Sequence, residues 1–291
     1  MANYIELFKQ YIPELDKVYK VASLSATLDG ASELARQGAN ADELIIPKMS
    51  MDGQADYSRN GGYVNGDVTL TNETVKCNYD RGRMFTVDAL DDIETASIAF
   101  GQLSGEFIRT KYVPEIDAFR FAEYAQQAGT KKTDETLATG EDVIAALREA
   151  TNTMDEAEVP VEGRVLFITP TLMGLVQDLE TIKSREVLAR FAAIHYVPQT
   201  RFYTKITLND GTTSGQEAGG FAPAVDAEKL NFLAIHPSAV IQYSKRTVNK
   251  VISPEANQTS DGWKFGFRSV GIAEVYENKV DGIFASSQSF T

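Results

Sequence analysis

One cysteine, two histidines and one tryptophan in 291 residues leave little material for the commonest catalytic constellations. The single thiol, Cys77, makes an intrachain disulfide impossible, so folding asks for no oxidising compartment. His195 and His236, far apart and accompanied by one cysteine, do not give the ligand spacing of a tetrahedral zinc site. No stretch approaches the roughly 20 apolar residues that span a bilayer. The start, MANYIELFKQ, lacks the basic opening and apolar run of a signal peptide. The expectation is a protein made and folded in cytoplasm, with no membrane partner. Cations are the minority charge: 28 Lys+Arg against 41 Asp+Glu leave −13, spread along the chain without blocks. Such a surface repels nucleic-acid phosphate, so contact with DNA is expected to be weak, local and non-specific.

The remaining candidates for chemistry have plainer readings. A cysteine nucleophile needs a histidine placed beside it, and Cys77 reads as mid-strand, away from anything that would lower its pKa. His236-Pro237 reads as a turn after a strand, and His195 precedes the strand-like Tyr196-Val197. A cysteine hydrolase is therefore a poorly supported alternative. Asp88, Asp91, Asp92 and Glu94 resemble a carboxylate cluster for magnesium or calcium, but EF-hand spacing is missing and acidity at a helix start explains them. Gly61-Gly62 and Gly219-Gly220 lack a nucleotide-loop context, and no Gly-x-Ser-x-Gly elbow occurs. Trp263 reads as a packing anchor. No catalytic residue, cofactor or metal is expected.

What the chain does have is an α+β pattern with several odd lengths. Tyr4, Leu7, Phe8, Tyr11, Leu15, Val18 and Tyr19 fall at helical spacing, interrupted by Pro13. Residues 49–57 read as extended, 59–67 as a tip rich in residues that tolerate positive φ, and 68–87 as one long returning strand. The sum is a long hairpin of low hydrophobicity, which has no core of its own to hold it. It is either a mobile loop or laid on another subunit. A helix then opens at Asp88, with Ile93, Ala96, Phe100, Leu103 and Phe107 as its buried stripe. Pro114 should bend it without ending it, the pattern resuming at Ile116, Phe119 and Phe121 to about 127. Beyond the polar linker 129–136, helix and strand alternate: a helix capped by Thr139, a strand over 164–169, a helix opened by Pro170, strands over 202–208 and 231–235. A loop rich in Gly, Thr and Ser covers 210–220, and extended segments close the chain.

Several strings carry a family likeness. DYSRNGGYVNGDV over 56–68 resembles the extended-loop tip of major capsid proteins from tailed bacteriophages and prophages of Gram-positive hosts. YDRGRMFTVDALDDIET over 79–95 is similar to the family's junction between strand and spine helix, and GEFIRT (105–110) with VPEIDAFRF (113–121) resembles the helix itself. IHPSAV (235–240) and YENKVDGI (276–283) resemble its late strands. The likeness runs in order along nearly the whole chain.

The resemblance implies the Hong Kong ninety-seven-like coat fold: an N-terminal arm (1–46), an extended β-hairpin loop (47–87), a peripheral domain with its spine helix (88–140), an axial domain (141–235), and a return to peripheral strands (236–291). It implies self-assembly into pentamers and hexamers of an icosahedral shell around double-stranded DNA. The hairpin would lie on a neighbour through Tyr57, Arg59, Gly61, Gly62, Tyr63, Val64 and Gly66. The spine helix would pack through Ile93, Phe100, Leu103, Phe107, Pro114 and Phe119. Implied partners are a separate scaffolding protein, since the arm begins almost at Met1, together with a portal and decoration proteins. Some relatives join a lysine to an asparagine between subunits; Lys48, Lys76 and Asn278 are not aligned to such a site, and no crosslink is assigned to them. The runner-up is an encapsulin, a shell of the same fold around cargo enzymes.

Overall fold

The computed structural model describes residues 23–29, 36–37, 43–90, 103–179 and 181–290. The expected N-terminal helical segment, and Ile93 and Phe100 of the long helix, lie outside them.

Strands β1 (Arg36–Gln37), β2 (Glu43–Met51) and β3 (Val68–Lys76) form a small antiparallel sheet in that order. The long strand expected over 68–87 is in fact two, β3 and β4 (Tyr79–Asp88), which belong to different sheets. The break at Cys77 and Asn78 has a side-chain cause. The Asn78 amide donates to the Ala273 carbonyl at 2.7 Å, and its oxygen accepts from the Ala273 N–H at 3.1 Å. One carboxamide thus takes the place of a backbone rung while the chain changes sheets. Cys77 consequently sits at a strand junction and not in mid-strand.

Helix α1 (Leu103–Phe107), a π turn (Ile108–Tyr112) and helix α2 (Val113–Gln127) run on without a break. The simple bend expected at Pro114 is replaced by this wide turn. Val113 N–H donates to the Ile108 carbonyl, five residues back, and the Thr110 hydroxyl donates to the Glu106 carbonyl at 2.6 Å. Widening the turn just before proline accommodates the missing donor without ending the helix. Helix α2 is buried almost all round, and its three buried charges are paired. Asp117, fully buried, accepts from Arg201 at 2.9 Å, from the Ser25 hydroxyl at 2.6 Å and the Ser23 hydroxyl at 2.8 Å, and from the Leu24 and Ser25 N–H groups. This clips residues 23–29 to the helix.

Beyond α2 come β5 (Thr130–Lys132), α3 (Gly140–Glu156), β6 (Val165–Ile168), α4 (Pro170–Leu179), α5 (Ile182–Leu188), β7 (Ala193–Tyr196), β8 (Ile206–Leu208), β9 (Phe221–Pro223), β10 (Lys229–Ile235), β11 (Val240–Ile252), β12 (Gly262–Val275) and β13 (Ile283–Gln288). The strand expected over 202–208 is shorter, being preceded by a 3-10 turn over Gln199–Arg201. Thr139 makes a capping box with Asp142, each side chain bonding the other's backbone N–H.

Five strands form one sheet in the order β5-β13-β10-β6-β7. Its two faces are both covered, which explains the unbroken apolar runs VLFI and LNFLAI. Alternate residues divide between two cores: Val165, Phe167, Leu233, Ile235 and Ile283 pack toward α2, while Leu166, Ile168, Phe232, Ala234 and Phe284 pack toward α3, α4 and α5. The second main sheet, β11-β12-β4, lies against the helix that carries the π turn, through Phe85, Phe265 and Phe267 around Phe107.

Candidate inter-subunit surface

The hairpin β2–β3 stands on a register that sorts its side chains. Met49 faces Leu70 and Met51 faces Val68, so these four share one side; Lys48 with Thr71, and Ser50 with Thr69, occupy the other. The four apolar side chains are 57 to 67% exposed. Their side is the one turned from the protein's own body, because the Lys48 side is the one that meets it. An exposed apolar stripe on a projecting two-stranded hairpin is a surface that asks for a cover.

The tip is braced by short-range bonds. Gly62 N–H donates to the Ser58 carbonyl at 2.8 Å, Gly61 N–H donates to the Ser58 hydroxyl at 3.1 Å, and Gly62 takes φ of +77°, where a side chain would be strained. Asp67 N–H donates to the Asp52 carboxylate at 2.9 Å, closing the neck beside Gly66. The Tyr57 and Tyr63 rings meet at 4.9 Å between centroids, and with Val64 they remain largely exposed, as does Arg59. The structure thus gathers all seven hairpin residues singled out in the sequence at one tip.

At its base the hairpin touches the body through Val75, which packs with Ile241 and Ile272 beside Cys77, Tyr243 and Tyr276. Lys48 bridges Glu277 at 2.5 Å, and that carboxylate holds the ammonium above its ordinary value. Burial, and then the neighbouring Glu277, push the Glu73 carboxyl up. Glu274 is raised by burial and by Glu73, against a bond from Gln127, and Glu123 is raised by burial and by Glu274.

Among the helix residues named from sequence, Pro114 and Phe119 are buried, whereas Leu103 and Phe107 are half-buried. Phe119 packs on Tyr79 at 5.1 Å, and Phe107 on Phe85 at 4.9 Å, so they serve different ends of the same sheet. Met49, Met51, Val68 and Leu70 were missed from sequence. The signal that finds them is period-two spacing within each strand, read together with the pairing register.

The candidate catalytic groups are engaged elsewhere. His236 accepts from the Ser238 N–H on Nδ1 and reaches the Glu162 carbonyl at 3.1 Å through Nε2. His195 lies in β7, stacked on Phe167 at 5.3 Å. Cys77 packs at the hairpin base. Among the described residues no group of three or more His, Cys, Asp or Glu side chains could hold a metal ion, and no helix is long and apolar enough to cross a membrane.

No protein-family model matches the chain, and no curated protein matches it in sequence. Solved structures do. The capsid structure of cyanophage P-SCSP1u aligns over 98% of this chain and 93% of its own, with TM-score 0.69 and 14% identity. The mature capsid of bacteriophage PhiM1 aligns over 98% and 92%, with TM-score 0.67 and 12% identity. A virus-like particle from Pyrococcus furiosus aligns over 84% and 86%, with TM-score 0.51 and 11% identity. The chain has the Hong Kong ninety-seven-like capsid fold, an α+β architecture.

Proposed function

We propose that this chain is the major capsid protein of a tailed bacteriophage, a non-catalytic subunit that builds the icosahedral shell around double-stranded DNA. The observation that carries this reading is end-to-end agreement with phage capsid subunits in a chain whose projecting hairpin bears an apolar side its own body leaves bare. Copies arrange as pentamers and hexamers, with each hairpin laid on a neighbour through its apolar side and its tip. Weak pairwise contacts become collectively stable when a symmetric shell closes. The virion is its destination and the host cytoplasm its place of assembly. A separate scaffolding protein, a portal and decoration proteins complete the partners, and the net charge of −13 keeps contact with packaged DNA weak.

The segments take the roles of arm (1–46), extended loop (47–87), peripheral domain (88–140), axial domain (141–235) and returning strands (236–291). Within the last, β11 and β12 pair with β4, whereas β13 joins β10 in the five-stranded sheet.

An encapsulin-type compartment, a shell of the same fold, is the second reading; the overlap with the virus-like particle from Pyrococcus furiosus is shorter and looser than those with the phage capsids. The test is negative-stain electron microscopy of the protein expressed alone and with its neighbouring genes. Closed shells or capsomer rings are expected, and uniform small monomers in both samples would overturn the reading. Terminase and portal genes beside it support the phage, and a cargo-enzyme gene the compartment.

A further inference from the structure

On its β3 side the hairpin passes into β4 through Cys77 and Asn78. Its body-facing side places Lys48, Glu73 and Val75 in line, since Thr71, Glu73 and Val75 alternate on β3 and Lys48 pairs with Thr71. Opposite lie Glu274, two residues from Ile272 on β12, and Glu277 in the turn that follows. The contact therefore combines one small apolar patch with three carboxylates and a single ion pair between Lys48 and Glu277.

We infer that this junction is a proton-sensitive hinge, in which ionised Glu73 and Glu274 loosen the hairpin from its own body and their protonation draws it in. The groups facing Glu73 are Lys48 from β2 and Glu277 and Tyr276 from beyond β12. Those facing Glu274 are Glu73 and, from α2, Glu123 and the Gln127 amide, while Lys279 lies over the Tyr276 ring. Against these carboxylates the body-facing side of the hairpin brings Lys48, whose partner is Glu277.

The direction follows from linkage. Both carboxyls sit above their ordinary value of 4.5, with burial as the main cause, so the docked hairpin binds these protons more tightly than a released one. Docking is strongest in mild acid, weakens as pH rises from 4.5 through the raised values, and stays at the weaker level above them. The Lys48–Glu277 bridge keeps the hairpin tethered at neutral pH. A hairpin that can pivot at its base meets neighbours at different angles; that use in assembly rests on the shell reading, whereas the hinge does not.

Hydrogen exchange of the unassembled full chain tests it, comparing wild type with a Glu73→Gln/Glu274→Gln variant at each pH so that intrinsic exchange rates cancel. At pH about 7.5 the wild-type peptides across 43–76 should exchange several-fold faster than the variant's, and the ratio should approach one as pH falls toward 4.5. Peptides from α3 serve as the reference. Equal exchange at neutral pH, or a ratio that ignores pH, overturns the hinge. If the double variant does not fold, Lys48→Met gives the second readout: faster hairpin exchange at pH about 7.5, with unchanged exchange counting against the tether and the hinge together. Electron microscopy of the same samples separates the two ideas. Shells with a pH-blind ratio sink only the hinge, and a working hinge without shells sinks only the shell.

Discussion

Asn78 and Ala273, 195 residues apart, are joined by a two-bond clasp in which a side-chain amide imitates a strand's peptide group. The clasp fixes where the hairpin leaves the β11-β12-β4 sheet. Asn78→Asp keeps the acceptor but turns a second carboxylate oxygen toward the Ala273 carbonyl. The loss expected is about 1–3 kcal/mol of stability, the range for an unsatisfied polar partner. Denaturant unfolding measures it. A change near zero would mean that the backbone turn, and not the clasp, directs the chain.

Asp117 gathers five donors from the arm and from Arg201. Asp117→Ala leaves Arg201 buried without this carboxylate and unties residues 23–29. A loss of about 3–5 kcal/mol is expected, as for breaking one side of a buried ion pair. Proteolysis should also find the arm sooner in the variant. Unchanged cleavage near 23–29 would show that other contacts hold the clip.

Signals that act over one turn of chain were legible in sequence. Thr139 with acidic residues after it announces a capped helix, and Pro170 announces another, because both depend only on near neighbours. The break at Cys77 and Asn78 was not legible, since its cause sits on β12, and strand-favouring residues flank it, Thr74 and Val75 before and Phe85, Thr86 and Val87 after. Pro114 marked a disturbance, but whether the helix bends or widens depends on what packs around it. The hairpin looked merely polar because composition averages its two sides; only the pairing of Met49 with Leu70 and Met51 with Val68 separates them. The capsid fold was legible through whole-chain resemblance and not through a site.

His236 is held neutral. Burial, helped by Arg164 and Lys279, lowers its pKa below the ordinary 6.5, against the bond to the Glu162 carbonyl that favours the cation. Its Nδ1 accepts the Ser238 N–H, which a protonated ring cannot do. The unfolded chain takes up this proton first as pH falls, so the stabilisation is complete above 6.5 and is lost as pH drops through the folded value. Wild type should therefore lose its advantage over His236→Gln as pH falls below 6.5, as read from Tm at several pH values. Parallel curves would mean that His236 does not contribute this proton linkage.

The apolar side of the hairpin should matter to assembly and not to the subunit. Met49→Lys and Leu70→Lys place charge on exposed positions that touch nothing in the chain's own core, so stability should move by no more than about 0.5 kcal/mol. The same charges on a side that a neighbour covers would lose the transfer of apolar surface, about 25 cal/mol per Å² buried, and would add desolvation of an ammonium. Shells should then fail or shrink to capsomers, while Thr69→Lys on the opposite side assembles far better. Deleting 58–67 should act like the Lys pair, giving a folded subunit and no stable shells. Electron microscopy beside a thermal melt reads both quantities from one preparation. If Thr69→Lys blocked assembly as strongly as Met49→Lys, the neighbour would lie on the polar side; if neither did, the hairpin would not be the joint between subunits.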